Sequence, residues 1–283
     1  MAESLPDLSI DATRVAASAL AEDGLVDLTT AVSVRQPVRG EAVIEARSAC
    51  VIAGLLYAET TARAAGCGVK WTAKEGAEVA AGVIGRVKGD LATILRAERP
   101  LLNILQRACG IATATRQFVA ALRGMSCQVL HTRKTAPGLR YLDVAAVVAG
   151  GGAIHRLDLA HTVMIKDNHW RALAREGRSL DDALIAARGR GAVACQVEVE
   201  TVEQVTDACR AGADRLMIDN QTPEIVAAWS KVARTLAPQI AIEATGGITL
   251  DNVRAFAEAG ADYVSVGALT HSVKAADIAL ELV

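Results

Sequence analysis

The chain has 283 residues, with 30 Lys and Arg against 32 Asp and Glu and a formal net charge of -2 at pH 7. This balance excludes a global positive field that would attract nucleic acid or an acidic membrane, so any anion-binding site must be local. Hydrophobic residues form 52% of the chain but aromatic residues only 3%, which favours tightly packed α/β layers over an aromatic-rich β-sandwich.

The cysteines and the amino-terminal residues indicate the compartment. The six cysteines are scattered without a Cys-x-x-Cys pair, and the first residues, MAESLPDLSID, contain no apolar signal core. No uninterrupted apolar stretch approaches the roughly 20 residues that a membrane helix needs. We therefore expect a soluble, cytoplasmic protein that binds neither nucleic acid nor membrane.

The first part of the chain predicts a small α+β lobe. Residues 37–90 carry short alternating apolar segments punctuated by glycine, around the helix-like stretch LLYAETTARAAG. From residue 91, apolar residues at helical spacing predict a long helix that links the lobe to the remainder of the chain. We assign residues 1–112 to the lobe, with the tail 272–283 as a candidate addition to it, and residues 113–271 to a second, catalytic domain.

After Met125 the sequence alternates between strand-like and helix-like segments. The strand-like segments are, in order, QVLHTRKT, TVMIKDNH, ACQVEVET, RLMIDN, QIAIEATGG and DYVSVGALTHS. The decapeptides AGADRLMIDN and AGADYVSVGA, which begin at Ala211 and Ala259, echo one another as two β/α units would. Parallel strands joined in this way close as a barrel or stay open as a doubly wound sheet.

The positions of the polar residues favour the barrel, because barrel enzymes place their chemistry at the carboxyl ends of the strands. Polar residues and glycines end nearly every predicted strand here: Thr132, Arg133 and Lys134; Lys166, Asp167 and Asn168; Glu198 and Glu200; Asp219 and Asn220; Glu243 and Thr245 to Gly247; and Gly267. Side chains alternate along QVEVE, so Gln196, Glu198 and Glu200 share one face of their strand. The fold prediction is an α/β protein, an incomplete (β/α) barrel with a smaller N-terminal α+β lobe.

These residues predict that the carboxyl end of the barrel, here called the mouth, carries both positive and negative charges. The cationic side comprises Arg133, Lys134, His155, Arg156 and Lys166, and the acidic side comprises Glu198 and Asp219. The cationic side suits a ligand with several carboxylates or phosphates, since arginine binds them through planar pairs of hydrogen bonds and lysine through a point charge. The acidic side suits ribose hydroxyls and a hydrated Mg²⁺.

Two glycine-containing loops predict a phosphate site. In barrels a phosphate often lies between the loops after the last two strands, on backbone amides and a helix amino terminus. Those loops here are ATGGITLDN and SVGALTHS. Gly246, Gly247 and Gly267 let backbone N–H groups approach an anion without an intervening Cβ.

The ordered set of motifs resembles the quinolinate phosphoribosyltransferase family, also called carboxylating nicotinate-nucleotide pyrophosphorylases. The motifs are AERPLLN with GIAT, TRKTAPGLR, GGGAIHR, MIKDNH, VEVE, MIDN, EATGGI and SVGALTHS. The resemblance covers most of the chain. It implies a type II phosphoribosyltransferase fold and a homodimer, or a larger assembly of dimers, in which Arg99 reaches the active site of the partner subunit.

The same resemblance implies the substrates quinolinate and phosphoribosyl pyrophosphate, Mg²⁺, and no organic cofactor. The substrate-binding residues that it implies are Arg99, Thr132, Arg133, Lys134, His155, Arg156, Lys166, Glu198, Asp219, Thr245, Gly246, Gly247, Val266, Gly267 and Ala268. Lys134, Lys166, Glu198 and Asp219 are implied as catalytic. Glu198 and Asp219 are also implied as Mg²⁺ ligands, directly or through water.

In such a reaction pyrophosphate leaves C1 of the sugar as an oxocarbenium-like centre develops, so catalysis is mainly positioning and charge stabilisation. Our hypothesis is that Glu198 shields the ribosyl cation and that Lys134 and Lys166 neutralise pyrophosphate. Arg133 and Arg156 bind the carboxylates of quinolinate. The pyridine nitrogen of quinolinate accepts the ribosyl group.

Other interpretations stay open at this level. Alone, TRKT can be a solvated basic turn, VEVE an edge strand, and His155 a structural histidine. His161 and His169 are expected to be structural. Alternative identities for the whole chain are a molybdenum-transport-associated paralogue of the same fold, another phosphate-binding barrel enzyme, or a catalytically silent protein that binds a phosphoribosyl ligand.

The chain departs from the usual pattern of the family at three places. Asp143 to Val147 stand where Glu-Lys-Tyr-Ala-Val is usual, so a lysine is absent. Asp158 replaces a common glycine and Thr245 replaces a serine. These changes leave the implied ligand set intact, but they alter the loops around it.

Overall fold

The computed structural model describes residues 4–24, 26–34 and 36–283. Within these ranges the chain forms eleven helices: α1 Ser9–Glu22, α2 Leu28–Ser33, α3 Leu55–Ala65, α4 Leu91–Ala121, α5 Arg140–Ala149, α6 Asp167–Arg175, α7 Leu180–Gly189, α8 Val202–Arg210, α9 Pro223–Leu236, α10 Val253–Glu258 and α11 Ala268–His271. The same ranges form twelve strands: β1 Arg39–Ala46, β2 Cys50–Val51, β3 Gly68–Trp71, β4 Glu78–Val79, β5 Gly82–Asp90, β6 Gln128–Leu130, β7 Thr162–Ile165, β8 Ala194–Val199, β9 Arg215–Asp219, β10 Ala241–Thr245, β11 Tyr263–Ser265 and β12 Ile278–Leu282.

The chain divides into two compact units, and both are discontinuous in sequence. The lobe unit comprises the described residues up to 116 together with 134–152 and 268–283. The barrel unit comprises 117–133 and 153–267. The boundary between residues 112 and 113 stays a prediction, drawn where the sequence changes texture.

The lobe unit is built on a four-stranded sheet in the order β12-β1-β5-β3, with β2 and β4 as a separate pair. Its pairings are antiparallel, and β12 joins along Ala42↔Leu282 to Ala46↔Ile278. The chain therefore returns to the lobe at its carboxyl end. Helix α1, which sequence analysis did not identify, buries Ala12, Val15 and Ala16 at helical spacing.

The barrel unit contains a parallel sheet of six strands in the order β6-β11-β10-β9-β8-β7. The last strand, β11, pairs with the first, β6, as a barrel requires. Ala153 pairs with Leu130 on the other side of β6. Across the described residues, the pairings leave one seam, between the segment of Ala153 and β7. The predicted α/β class and incomplete barrel are confirmed.

The pairing register identifies the inner face of this sheet. Glu198 aligns with Met217, and Met217 aligns with Glu243. Aligned residues of neighbouring parallel strands point to the same side, so these side chains share one face. Every residue from Cys195 to Val199 is buried, so both faces of β8 are covered, whereas Glu200, which follows the strand, is exposed.

The two AGAD repeats fold identically at the opposite, amino-terminal edge of the sheet. The carboxylate of Asp214 accepts the backbone N–H of Cys195 at 2.6 Å, and the N–H of Asp214 donates to the carbonyl of Cys195 at 2.8 Å. Asp262 makes the same two contacts with Ile242, each at 2.8 Å. Each aspartate therefore satisfies backbone groups where one strand begins beside the next.

An arginine from a preceding helix completes each repeat. Arg188 donates hydrogen bonds to the carboxylate of Asp214 and to the carbonyl of Gly212. Arg234 donates the equivalent hydrogen bonds to the carboxylate of Asp262 and to the carbonyl of Gly260. The sequence echo thus reflects a repeated structural device.

Helix α6 was also absent from the sequence prediction. The segment TVMIKDNH was expected to continue as strand and loop until a helix beginning near Ser179, but β7 ends at Ile165 and α6 begins at Asp167. The His169 Nδ1 accepts the backbone N–H of Lys166 at 3.0 Å, which caps the start of α6. His169 therefore has the structural role expected of it.

Within the part of the chain that the structure describes, no helix combines the length and the apolar character needed to cross a bilayer.

We predict that Asp214→Ala lowers the free energy of unfolding by about 1–3 kcal/mol, because the N–H of the fully buried Cys195 loses its acceptor. The exposed contact with Arg188 adds at most about 1 kcal/mol. Urea unfolding measures the change. Asp214→Asn, which retains an acceptor oxygen, is the matched control, and an equal loss in both variants would contradict this explanation.

Candidate active site

The carboxyl ends of three neighbouring strands bring together a lysine and two carboxylates. Lys166 follows β7, Glu198 lies near the end of β8, and Asp219 ends β9. The Nζ of Lys166 donates a hydrogen bond to Oε2 of Glu198, which is only 7% exposed. Pairing these charges offsets the cost of removing them from water.

Asp219 lies in the electric field of this pair. Burial raises the pKa of Asp219 and the Glu198 carboxylate raises it further, against the opposing effects of a hydrogen bond from Asn220 and the charge of Lys166. The Nδ2 of Asn220 donates to Asp219 at 2.6 Å. Burial is the larger cause of the raised pKa, and repulsion between the two carboxylates adds to it. A cation beside Asp219 and Glu198 would relieve that repulsion.

This arrangement bears on the predicted Mg²⁺. Among the residues that the structure describes, no group of three or more His, Cys, Asp or Glu side chains is placed to hold a metal ion. Two mutually repelling carboxylates fit Mg²⁺, since this ion binds proteins through one or two carboxylates and retains several waters. The residues present therefore fit the ion, and its binding at Glu198 and Asp219 stays a prediction.

A residue in the first turn of α6 also contacts the backbone of Glu198. The Nε1 of Trp170 donates to the backbone carbonyl of Glu198 at 2.9 Å. This contact ties α6 to the end of β8 and holds the residue that carries the carboxylate. Sequence analysis gave Trp170 no role, and its only signal was an aromatic residue one turn after Lys166.

The loop after β10 is held in a conformation that requires glycine. Gly246 has φ +81°, and a Cβ there would lie 2.3 Å from Oδ1 of Asn220. The backbone N–H of Asn220 in turn donates to the carbonyl of Thr245 at 2.9 Å. Gly247 also has a positive φ, +63°. The predicted phosphate loop is therefore pinned to the end of β9, directly beside Asp219.

The loop after β11 is anchored to the first strand of the barrel. Val266 is buried, and its N–H donates to the carbonyl of Leu130 in β6 at 3.1 Å. Gly267 follows as the last residue of the barrel unit. Val266 and Gly267 therefore lie at the carboxyl edge of the sheet, directly after the paired strand β11.

His155 is buried, and protein groups contact both of its ring nitrogens. The Nδ1 accepts the backbone N–H of Arg156 at 2.7 Å, and Nε2 lies 3.1 Å from Oε2 of Glu243. Its ring also meets that of His131 edge to face at 6.4 Å. The side chain of Arg156 is half-buried and extends to the carbonyl of Thr162 at 3.4 Å.

Sequence analysis noted Glu243 at the end of a strand but gave it no role. Glu243 is fully buried, and it accepts hydrogen bonds from Arg215 at 3.0 Å and from Ser265 at 2.6 Å in addition to its contact with His155. Burial raises the pKa of Glu243, but His155, Arg215 and Ser265 outweigh burial and hold the pKa below its ordinary value. The available signal was one carboxylate at an inward position of the apolar strand AIEAT.

Arg133 carries an unsatisfied donor. Its Nε is buried and has no hydrogen-bond partner among the described residues. A buried donor without an acceptor is costly, so a ligand acceptor near this guanidinium would stabilise it. The neighbouring Thr132 is half-buried at the end of the β6 segment. Both residues belong to the barrel unit, as His155, Arg156, Lys166, Glu198 and Asp219 do.

Arg99, Lys134 and Ala268 belong to the lobe unit, and their predicted roles stay predictions. The segment that begins at Lys134 is clamped within that unit. Asp143, one of the departures from the family pattern, is fully buried. Its carboxylate accepts hydrogen bonds from Nε and Nη2 of Arg107, each at 2.7 Å. Asp143 also accepts the N–H of Ala136 at 3.2 Å, while Thr270 Oγ1 donates to the carbonyl of Lys134 at 2.9 Å.

Comparison with known proteins gives a consistent result. Residues 27–109 match the family model for the quinolinate phosphoribosyl transferase N-terminal domain, and residues 111–281 match that for its C-terminal domain. The chain is 44% identical over 201 residues to the probable nicotinate-nucleotide pyrophosphorylase (carboxylating) of Bacillus subtilis, which covers 71% of this chain and 68% of that protein. It is 38% identical to the corresponding protein of Mycobacterium leprae, over 98% of this chain and 100% of that one.

A solved structure agrees with the sequence relatives. The nicotinate-nucleotide pyrophosphorylase of Francisella tularensis superposes with a TM-score of 0.89 at 30% identity, over 99% of this chain and 98% of that chain.

We predict that Asp219→Asn stabilises the protein at neutral pH while lowering turnover at least about tenfold. A raised pKa means that the folded state holds the proton of Asp219 more tightly than the unfolded state, so ionising this carboxyl costs stability as pH rises. The uncharged amide avoids that cost. Urea unfolding at neutral and at acidic pH measures it, and the advantage of the variant should vanish in acid. A difference independent of pH would contradict the prediction.

Proposed function

The chain belongs to the quinolinate phosphoribosyltransferase family, and we propose that it transfers the phosphoribosyl group of phosphoribosyl pyrophosphate to quinolinate with decarboxylation. The products are nicotinate mononucleotide, pyrophosphate and CO₂, a step of de novo NAD biosynthesis. The observation that carries the proposal is the contact of Lys166 with Glu198 beside Asp219, at the carboxyl ends of three adjacent strands.

These three residues supply what ribosyl transfer needs. As the bond from C1 to pyrophosphate breaks, positive charge develops on the sugar and negative charge on the leaving oxygen. Glu198 stabilises the cationic sugar, and Asp219 binds the ribose side. Lys166 and Lys134 neutralise the departing pyrophosphate. Such fixed charges stabilise a transition state without covalent attack by the protein.

Arg133 and Arg156 bind the two carboxylates of quinolinate, and Thr132 lines the same side. The unsatisfied Nε of Arg133 supports this assignment, since a carboxylate is the acceptor that a guanidinium binds best. The 5-phosphate of the sugar lies on the loops of Thr245 to Gly247 and Val266 to Ala268.

Decarboxylation then needs no organic cofactor. After its nitrogen bonds to C1, the pyridine becomes a pyridinium. When the 2-carboxylate leaves as CO₂, the electron pair of the broken C–C bond remains on the ring carbon, beside the positive nitrogen, and a proton from solvent completes the product. The protein contributes by holding the ring in place.

Mg²⁺ bound by Glu198 and Asp219, directly or through water, would neutralise charge on the diphosphate. The two carboxylates orient the sugar hydroxyls in the same region. The proposal also includes a homodimer in which Arg99 of each subunit completes the site of its partner.

Incubation with quinolinate, phosphoribosyl pyrophosphate and Mg²⁺, with measurement of CO₂ and nicotinate mononucleotide, tests the function. Glu198→Gln is the matched control and should abolish most turnover. Binding of both substrates without turnover by the native chain would overturn the proposal in favour of a silent binding protein. Turnover of nicotinate in place of quinolinate would overturn the assigned specificity.

We predict that Arg133→Ala raises KM for quinolinate at least about tenfold, because a charge-assisted pair of hydrogen bonds is lost. KM for phosphoribosyl pyrophosphate should change much less. Steady-state kinetics with each substrate varied separately measure both constants. An unchanged quinolinate KM would contradict the role of Arg133.

We further predict that Arg99→Ala and Glu198→Gln, each nearly inactive alone, regain activity when mixed. In a symmetric dimer with shared sites, a mixed pair places both defects in one site and leaves the other intact. Random exchange then yields about a quarter of native activity. Mixing after reversible dissociation measures this, and no recovery, with exchange verified by mass, would show that Arg99 serves its own subunit or none.

A further inference from the structure

Hydrogen-bond geometry around His155 fixes where its proton resides. A backbone N–H can only donate, so the contact of 2.7 Å from Arg156 requires Nδ1 of His155 to accept. A neutral imidazole has one donor and one acceptor nitrogen. The remaining proton is therefore on Nε2, which faces the carboxylate of Glu243 at 3.1 Å.

Arg215 contacts the same carboxylate oxygen as His155. It donates to Oε2 of Glu243 at 3.0 Å, and its guanidinium stacks on the ring of Tyr263 at 4.1 Å. The hydrogen-bond geometry at Nδ1 supports the neutral form of His155. A second proton on His155 would place two donors face to face at Nδ1, against the N–H of Arg156.

The cluster connects the barrel interior to the mouth. Glu243 lies on the inner face of β10 and is fully buried. His155 is 7% exposed, and the residue that it binds through Nδ1 is Arg156, whose side chain the proposed function assigns to a substrate carboxylate. Both ring nitrogens of His155 therefore contact protein groups in this structure.

We propose that Glu243 is a positioning residue for quinolinate binding: it holds the proton of His155 on Nε2, so that Nδ1 fixes the backbone from which Arg156 projects. The proposal rests on the proposed function for the identity of the substrate. It gives His155 an indirect role in addition to the predicted substrate contact, since a hydrogen bond at one ring nitrogen sets the chemistry of the other.

The test begins with the tautomer in the native protein. Long-range ¹⁵N–¹H correlation spectra report the protonation of each ring nitrogen, and His155→Gln assigns the signals. We expect His155 to be protonated on Nε2 alone at neutral pH, and Glu243→Gln to alter that state. Protonation on Nδ1 in the native protein would overturn the proposal. This readout requires no turnover, so it stays decisive even if the enzyme assay fails and the proposed function falls.

Kinetics then separate positioning from simple stability. We expect Glu243→Gln to raise KM for quinolinate at least about tenfold, with KM for phosphoribosyl pyrophosphate within about twofold of native. Glu243→Asp, which keeps the charge, should recover part of the loss. Asp214→Ala, which weakens the opposite edge of the barrel, controls for lost stability and should leave quinolinate KM unchanged.

A double variant provides the sharpest discrimination. Glu243→Gln alone leaves Arg215 buried without its counter-charge, whereas Arg215→Met in the same chain removes that imbalance and keeps a side chain to pack on Tyr263. We expect the pair of substitutions to restore stability while quinolinate KM stays raised, because His155 still lacks its carboxylate. Recovery of KM together with stability would show that Glu243 only balances charge in the core, and would overturn the proposal.

Discussion

Charge buried inside a parallel-stranded barrel has to be paired, and this constraint organises the structure. The inner face of the sheet carries Glu198 and Glu243, both largely removed from water, and each is met by a cation from a neighbouring strand. An isolated carboxylate at either position would be costly enough to unfold a marginally stable domain. The strand order therefore determines which charges can exist, since only adjacent strands bring a lysine or an arginine within reach.

The two edges of the sheet use aspartate for different purposes. At the amino-terminal edge, Asp214 and Asp262 accept backbone N–H groups and receive arginines, so their charges are satisfied by the protein. At the carboxyl edge, Asp219 faces another carboxylate, and its pKa is raised by burial and by Glu198. The paired carboxylates of Asp214 and Asp262 stabilise the fold, whereas the carboxylate of Asp219, which lies beside another carboxylate, is available to bind a ligand or a cation. This division is what barrel enzymes require, with stability at one end and chemistry at the other.

The departures from the family pattern fit local structure. Asp143 is fully buried and fully bonded, and Val144 beside it lies in the core of the lobe, where a lysine is usual in the family. Asp158 is exposed, and its pKa is lowered chiefly by the backbone N–H of Ala160, then by His161, and least by the charge of Arg133. Thr245 ends β10, and its carbonyl accepts the backbone N–H of Asn220, which directly follows the neighbouring strand β9.

The sequence by itself determined the class of fold, the order of the parallel strands along the chain and the polar residues at their ends, because these follow from local periodicity and from the punctuation of glycines. Only the tertiary structure decided which of those residues interact. His155 and Glu243 are 88 positions apart, and Arg215 and Ser265 come from two further strands, so no local pattern links them. The assignment of residues 134–152 to the lobe unit escaped prediction for the same reason, because packing between residues that are distant in sequence decides it. Helix α6 was missed because the strand and loop were extended through IKDNH, whereas β7 ends at Ile165.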